Sequence, residues 1–247
     1  MFEKLEGIII RTQDYGETHK IVTLFSKRLG KLAVIARGAK KPKSRMAAVS
    51  QAFIHGEYLI QLGRGMGVMQ QGEVIMSHRK IREDIVKTAY VSYLAELTDK
   101  LIDEKKPNAF IFNQLEASIA GIEEDKDPDV ILMMYEIKLY ALQGFQPILD
   151  HCIHCGRTED LVCFSIHQGG TLCNRCVSQD QYAVKLSPQQ LKLLRMFSTV
   201  GLERVQNISV KLENKVVLKQ LLADYLDQHG GIFLKSRKFL AQLNQLN

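Results

Sequence analysis

The chain has 247 residues, 46% hydrophobic and 24% charged, with a net charge of +6, the proportions of a globular protein with room for one sizeable core or two to three small ones. No apolar run approaches the roughly 20 residues that a membrane-spanning helix needs, and the opening Met1-Phe2-Glu3-Lys4-Leu5-Glu6 lacks the basic and apolar regions of a signal peptide. The expectation is a cytoplasmic protein with no membrane partner, in which five cysteines call for a metal or redox role rather than disulfides.

The first 76 residues read as five strands. Gly7-Ile8-Ile9-Ile10, Ile21–Phe25 and Lys31–Arg37 are β-branched runs, the fourth spans roughly Ala52–Leu62, and Gly63-Arg64-Gly65-Met66-Gly67 turns into Val68–Ile75. Five strands in so short a stretch suit a small barrel. The five-stranded OB-fold is the leading candidate because it commonly binds single strands, although periodicity alone does not separate it from an SH3-like barrel.

The charge is concentrated here. Residues 1–80 hold 14 Lys/Arg and 6 Asp/Glu, and residues 11–45 hold ten against two, whereas the remaining 167 residues hold 19 against 21. Such asymmetry points to a polyanionic partner on the N-terminal part. Its densest stretch is Arg37-Gly38-Ala39-Lys40-Lys41-Pro42-Lys43-Ser44-Arg45, expected as an extended loop around Pro42 that lays its cations along a phosphate backbone. Arg37, Lys40, Lys41, Lys43 and Arg45 are the first candidates for nucleic-acid contact, with Arg11, Lys20, Lys27, Arg28, Lys31 and Arg64 behind them. Tyr15, in the segment Thr12–Glu17 before the second strand, is a candidate stacking ring with core packing as the open alternative. Phe25, Phe53 and Tyr58 sit within strand runs, as core residues do.

From Ile81 the period becomes helical. Ile81, Ile85, Thr88, Ala89, Leu94, Leu97 and Leu101 mark one side of a long helix ending before Pro107. Phe110–Ile122 reads as a second helix. Asp127-Pro128 opens a third, as N-cap and first helical residue, running to a stop near Gly144. Ser187-Pro188-Gln189-Gln190 is a capping box opening Leu191–Phe197, and further helices are expected near Leu212–Leu226 and Ser236–Leu246.

Cys152-Ile153-His154-Cys155 and Cys173-Asn174-Arg175-Cys176 are two CxxC pairs at structural-zinc spacing. Each turn brings two thiolates to one side of a loop, and two turns complete a tetrahedron. Val162–Ile166 and Thr171-Leu172, turning at Gly169-Gly170, would form a hairpin between them. Four thiolates leave no open position for catalysis, so one structural zinc ion is expected, a redox dithiol being the alternative. His151, His154 and His167 are substitute ligands, and Cys163 reads as a small buried residue in the hairpin. Asp14/Glu17, Glu123/Glu124/Asp125 and Asp127/Asp129 read as caps and solvated groups. No phosphate-binding loop or nucleophile set appears, so no catalytic residue is named. A zinc-ribbon adaptor of transcription or translation and a metal-dependent nuclease are the rivals to a DNA-binding protein.

Several segments then combine in order: Gly7-Ile8-Ile9-Ile10-Arg11-Thr12, Asp14-Tyr15-Gly16-Glu17-Thr18, Leu29-Gly30-Lys31-Leu32, and the run Ala36–Arg45. They are followed by Leu142-Gln143-Gly144-Phe145-Gln146-Pro147, Leu149-Asp150-His151-Cys152, Cys155-Gly156 and Gly169-Gly170-Thr171-Leu172-Cys173. Across nearly the whole chain this resembles the RecO family of bacterial recombinational repair. The resemblance implies a multi-domain α+β protein: an OB-fold barrel over 1–78, an α-helical domain over 79–150 and 181–247, and a zinc-binding module over 151–180. It implies a non-enzymatic recombination mediator of the RecF-type pathway, in the cytoplasm and associated with the nucleoid. Such a protein binds single- and double-stranded DNA, anneals complementary strands and works with RecR. It also contacts the C-terminal tail of single-stranded-DNA-binding protein (SSB), and so helps to load RecA.

Overall fold

The protein is described by a computed structural model in which residues 1–244 are described. The chain forms two compact units. One comprises Met1–Glu124 with the described residues from Leu234 onward, and the other is Asp125–Phe233.

The first unit is built on β1 (Phe2–Tyr15), β2 (His19–Ser26), β3 (Gly30–Ala36), β4 (His55–Gln61) and β5 (Gly67–Met76), closed in the order β1-β2-β3-β5-β4. All pairings are antiparallel except β3 with β5. This is the five-stranded OB barrel. Period-two alternation aims Leu32, Val34 and Ala36 of β3 inward, where they meet Leu5, Ile9, Val22, Leu24 and Ile60. Tyr58 lies fully buried among them, its hydroxyl donating to the Ile54 and Val49 carbonyls at 3.3 and 3.4 Å.

Three local expectations are corrected. β1 is 14 residues long and contains Thr12–Tyr15. Its first half pairs with β4 and its second half with β2, across a bulge between Ile9 and Arg11, so it has a partner along its whole length. The basic segment is turned rather than extended. Gly38 and Lys43 take φ of +69° and +58°, and Ser44 caps α1 (Arg45–Val49) by accepting from the Met46 N–H. Phe53 is buried in a turn at φ +69°, not in a strand.

The long helix expected from Ile81 is two, α2 (Arg79–Glu83) and α3 (Ile85–Leu101). Asp84 is extended at φ −120° and its Oδ1 accepts from Val86 and Lys87 N–H at 2.8 and 3.0 Å. A capping carboxylate therefore starts a new helix, and Ile85 stays 62% exposed at its first turn. Next comes α4 (Ala109–Glu123), capped by Asn108. It lays Phe112 against Phe25 at 5.8 Å and brings Glu116 and Glu123 to two buried histidines. His55 lies 3.1 Å from Glu6 and 3.3 Å from Glu116, and His78 lies 2.8 Å from Glu123.

In the second unit, α5 (Pro128–Leu142) starts at the Asp127 cap as expected. β6 (Leu161–Ser165), β7 (Gly170–Cys173) and β8 (Val184–Lys185) form a small sheet in the order β7-β6-β8. The capping box at Ser187 and Gln190 opens α6 (Pro188–Thr199), and α7 (Leu212–His229) follows. Lys215 and Lys219 of α7 pair with Asp127 and Asp129 at 3.0 and 2.6 Å. α8 (Lys235–Asn244) returns to the first unit; the remainder of the helix expected to reach Leu246 lies outside the described residues. No helix among the described residues is long and apolar enough to cross a membrane.

Candidate nucleic-acid surface and metal centre

The barrel's connections separate the candidate cations into groups. The β1–β2 turn and the segment after β3 are tied together, Lys40 N donating to the Thr18 carbonyl at 3.0 Å and Gly38 N to His19 Nδ1 at 2.9 Å. Their end of the barrel carries Tyr15, Lys20, Arg37, Lys40, Lys41, Lys43 and Arg45. Arg37, Lys41, Lys43 and Arg45 are exposed and have no ion pair among the described residues, although Arg45 lines a cavity together with Glu57 and Glu73. Lys40 is different. It pairs with Asp14 at 2.7 Å, and this contact holds the Asp14 carboxyl below its ordinary value. The sequence reading placed Asp14 in a loop and missed the pair, because strand β1 is what carries it to Lys40. Tyr15 is 46% exposed at the tip of β1, open enough to stack a base.

The other candidates lie elsewhere, and all of them but Arg64 are committed to contacts. Arg28 pairs with Glu3. Arg11 and Lys31 both reach Asp99 of α3, at 3.6 and 3.2 Å. Lys27 sits 5.7 Å above the Phe112 ring, a cation–π contact. Arg64 is exposed in the β4–β5 turn with no ion pair among the described residues. Sequence reasoning also missed Lys105, whose N–H donates to the Lys31 carbonyl at 3.1 Å and which sets a further exposed cation beside Arg28 and Arg64. Its run, Asp103-Glu104-Lys105-Lys106, gives no signal because its charges balance.

In the second unit the two CxxC turns meet. The sulfurs of Cys152, Cys155, Cys173 and Cys176 all lie within 4.8 Å of one another, with Cys155 and Cys173 3.6 Å apart. A tetrahedron with Zn–S bonds of about 2.3 Å has edges of about 3.8 Å, so the donor set fits one ion. The first turn is shaped by Gly156 at φ +74°, whose N–H donates to the Cys152 carbonyl at 2.8 Å. The second starts where β7 ends, the Cys176 N–H donating to the Cys173 carbonyl at 2.9 Å. Burial and the three neighbouring cysteines push Cys176 up to about 12. A bound cation is what would let all four ionise together.

The fifth cysteine, Cys163, is buried in β6 across from Leu172, outside the cluster. His154 Nδ1 approaches Cys176 at 3.8 Å, His151 pairs with Asp150, and His167 is exposed in the β6–β7 turn. Among the described residues the four cysteines are the one group of His, Cys, Asp and Glu placed to hold a metal.

A family model described as Recombination protein O N terminal matches residues 1–78, and one described as Recombination protein O C terminal matches residues 82–238. A DNA repair protein RecO from Oceanobacillus iheyensis is 50% identical over 244 residues, 99% of this chain and 95% of that protein. Proteins of the same name from Bacillus cereus and Bacillus anthracis are 48% identical over 245 residues, 99% of each chain.

Proposed function

This chain belongs to the RecO family, and from its role in DNA repair and recombination we propose that it is a non-catalytic mediator whose barrel binds DNA. The observation that carries the reading is the set of four exposed cations, Arg37, Lys41, Lys43 and Arg45, at one end of an OB barrel and without ion pairs among the described residues. Their phosphate contacts release counterions, which gives affinity without sequence preference. Lys40, Lys20 and Tyr15 extend that surface, while Arg11, Lys27, Arg28, Lys31 and Arg64 contribute from the rest of the barrel. By screening the repulsion between two strands, such a surface speeds their annealing.

In this reading residues 1–78 hold single- and double-stranded DNA. Residues 79–150 and 181–247 contact the SSB tail, and residues 151–180 carry one structural zinc on Cys152, Cys155, Cys173 and Cys176. Zinc would supply no chemistry beyond cross-linking the two turns. Tethering to SSB raises the local concentration of the barrel at gaps, and with RecR this leads to RecA loading. The working compartment is the cytoplasm, at the nucleoid.

The test is a fluorescence titration of single-stranded DNA over a salt series with the Lys41→Ala/Lys43→Ala/Arg45→Ala variant. Losing three phosphate contacts should make the log–log salt slope shallower by about 2. An unchanged slope removes this segment from the DNA surface.

A further inference from the structure

Strand β5 leaves the barrel with one edge open. β3 pairs with it only over Gly67–Met69, whereas β4 follows it to Met76. Val49 of α1 closes on Gly72, where an added Cβ would meet the valine side chain at 2.9 Å. Beyond that point, residues 73–76 have a strand partner on the β4 side alone among the described residues. In an antiparallel pair, alternate backbone N–H and C=O groups face away from the partner, so those of the β5 tip point outward. Edges of this kind are usually blunted by lysine, proline or a covering element. The tip holds neither lysine nor proline, and it shows Val74, Ile75 and Met76 at 40%, 46% and 47% exposure. Successive residues point to opposite faces, so both faces of the tip are apolar. One strand laid along the edge would cover all three side chains and meet the outward backbone groups.

The charges at its two ends select that strand. Glu73 precedes the apolar triplet and Lys80 follows it. Lys4 and Arg45 line a cavity with Glu73, but Lys4 pairs with Glu57 at 2.8 Å, and Glu73 has no ion pair among the described residues. Lys80 has none either, and it stands with Val74, Ile75 and Met76 around a cavity of about 530 Å³. Glu123 and Glu124 line that cavity too, Glu123 being held by His78 at 2.8 Å. The order acidic, apolar, basic is its own antiparallel complement. We propose that two copies of this chain associate by antiparallel pairing of their β5 tips, Glu73 of each meeting Lys80 of the other. A two-fold axis near Ile75 lays triplet against triplet and makes the interface isologous. A strand from a different protein would also fill the edge, but its own complementarity favours a second copy. The inference does not depend on what the barrel binds, and no residue of the proposed DNA surface takes part. So short a pairing falls at the small, transient end of interfaces, with a dissociation constant on the order of 10–100 µM.

The experiment is sedimentation velocity of the full chain from about 1 to about 300 µM, a range set around that constant. The wild type should pass from monomer to dimer. Ile75→Lys should stay monomeric throughout, because it puts an ammonium into the apolar centre of the pairing. Glu73→Lys and Lys80→Glu should each weaken association about tenfold, since both symmetric pairs become like-charged at once. The Glu73→Lys/Lys80→Glu double variant should recover wild-type association, a rescue that a merely misfolded chain would not give. A wild type that stays monomeric over the whole range overturns the proposal. So does an Ile75→Lys variant that associates as the wild type does, which places the interface elsewhere, and so does a double variant as weak as the two single ones.

Discussion

The carboxylate of Glu96 caps a helix that begins at Lys235. It accepts from the Ser236 N–H at 2.8 Å, the Ser236 hydroxyl at 2.6 Å and the Lys235 N–H at 3.1 Å. Leu234, just before α8, has no side-chain acceptor to do this. α3 thus supplies in space the cap that α8 lacks in sequence.

Burial pushes the Glu96 carboxyl up, but the hydrogen bonds from Ser236 and Lys235 outweigh it and hold the group below its ordinary value. Its contribution is therefore present above the carboxylate's unfolded value and is lost as pH falls through the folded one. Glu96→Gln should lower the opening free energy of α8 by about 1 kcal/mol at neutral pH, read as faster amide hydrogen exchange over residues 236–243. The wild type should approach the variant on acidification. Identical exchange at neutral pH would remove the cap from the account.

Asp14 holds Lys40 in an ion pair, and on the proposed DNA-binding reading it would compete with a phosphate for that lysine. Asp14→Asn should free the lysine and strengthen single-strand binding a few-fold, with a salt slope steeper by about 0.7 for the one added phosphate contact. Weaker binding in the variant would show that the pair orders the segment rather than restrains it.

The cysteine cluster predicts one metal ion per chain, measured by elemental analysis of freshly reduced protein. Cys152→Ser should lose the ion and cost the second unit on the order of 3 kcal/mol, whereas Cys163→Ser should retain it, because Cys163 lies outside the cluster. DNA affinity of the barrel should change little in either. Metal-free wild type, or an ion kept by Cys152→Ser, would sink the assignment.

Lys138 is buried, its ammonium donating to the Phe197 and Val200 carbonyls at 2.9 and 2.7 Å, at the end of α6. Burial lowers it to about 8, against a smaller opposing pull from Glu203. Between about pH 8 and the ordinary lysine value the unfolded chain therefore holds a proton that the folded chain does not. Stability of the second unit should rise with pH across that window, by roughly 2 kcal/mol allowing for partial solvation. Lys138→Met should abolish the rise, followed by denaturant melts at several pH values. A rise that persists in the variant would assign it to another group.

What could be read in the sequence was whatever local chemistry decides. β-branched runs marked the strands, Asp127-Pro128 and Ser187–Gln190 marked helix starts, and the CxxC spacing marked the four-cysteine cluster that could hold a metal. What escaped depends on partners distant in the chain. Residues Arg11–Tyr15 are largely polar and exposed, and they are strand because β2 pairs with them. Asp84 interrupts a helical period that Ile81 and Ile85 preserve, so the break was hidden by the pattern used to find the helix. The commitment of Lys40 to Asp14, and the arrival of Lys105 beside Arg64, are tertiary facts with no local signature.

The order of synthesis gives the return of α8 a further meaning. All five barrel strands are complete once Met76 has emerged, so that core can close early. Its own unit, however, is finished only when Leu234 and the residues after it arrive, about 160 residues later, or roughly 10–30 s at bacterial elongation rates. During that interval Glu96 has no helix to cap, and the face of α3 that α8 will cover stays open on the nascent chain. Premature termination just before Leu234 would leave a closed barrel beside an uncovered helix, a species suited to capture by chaperones or proteases.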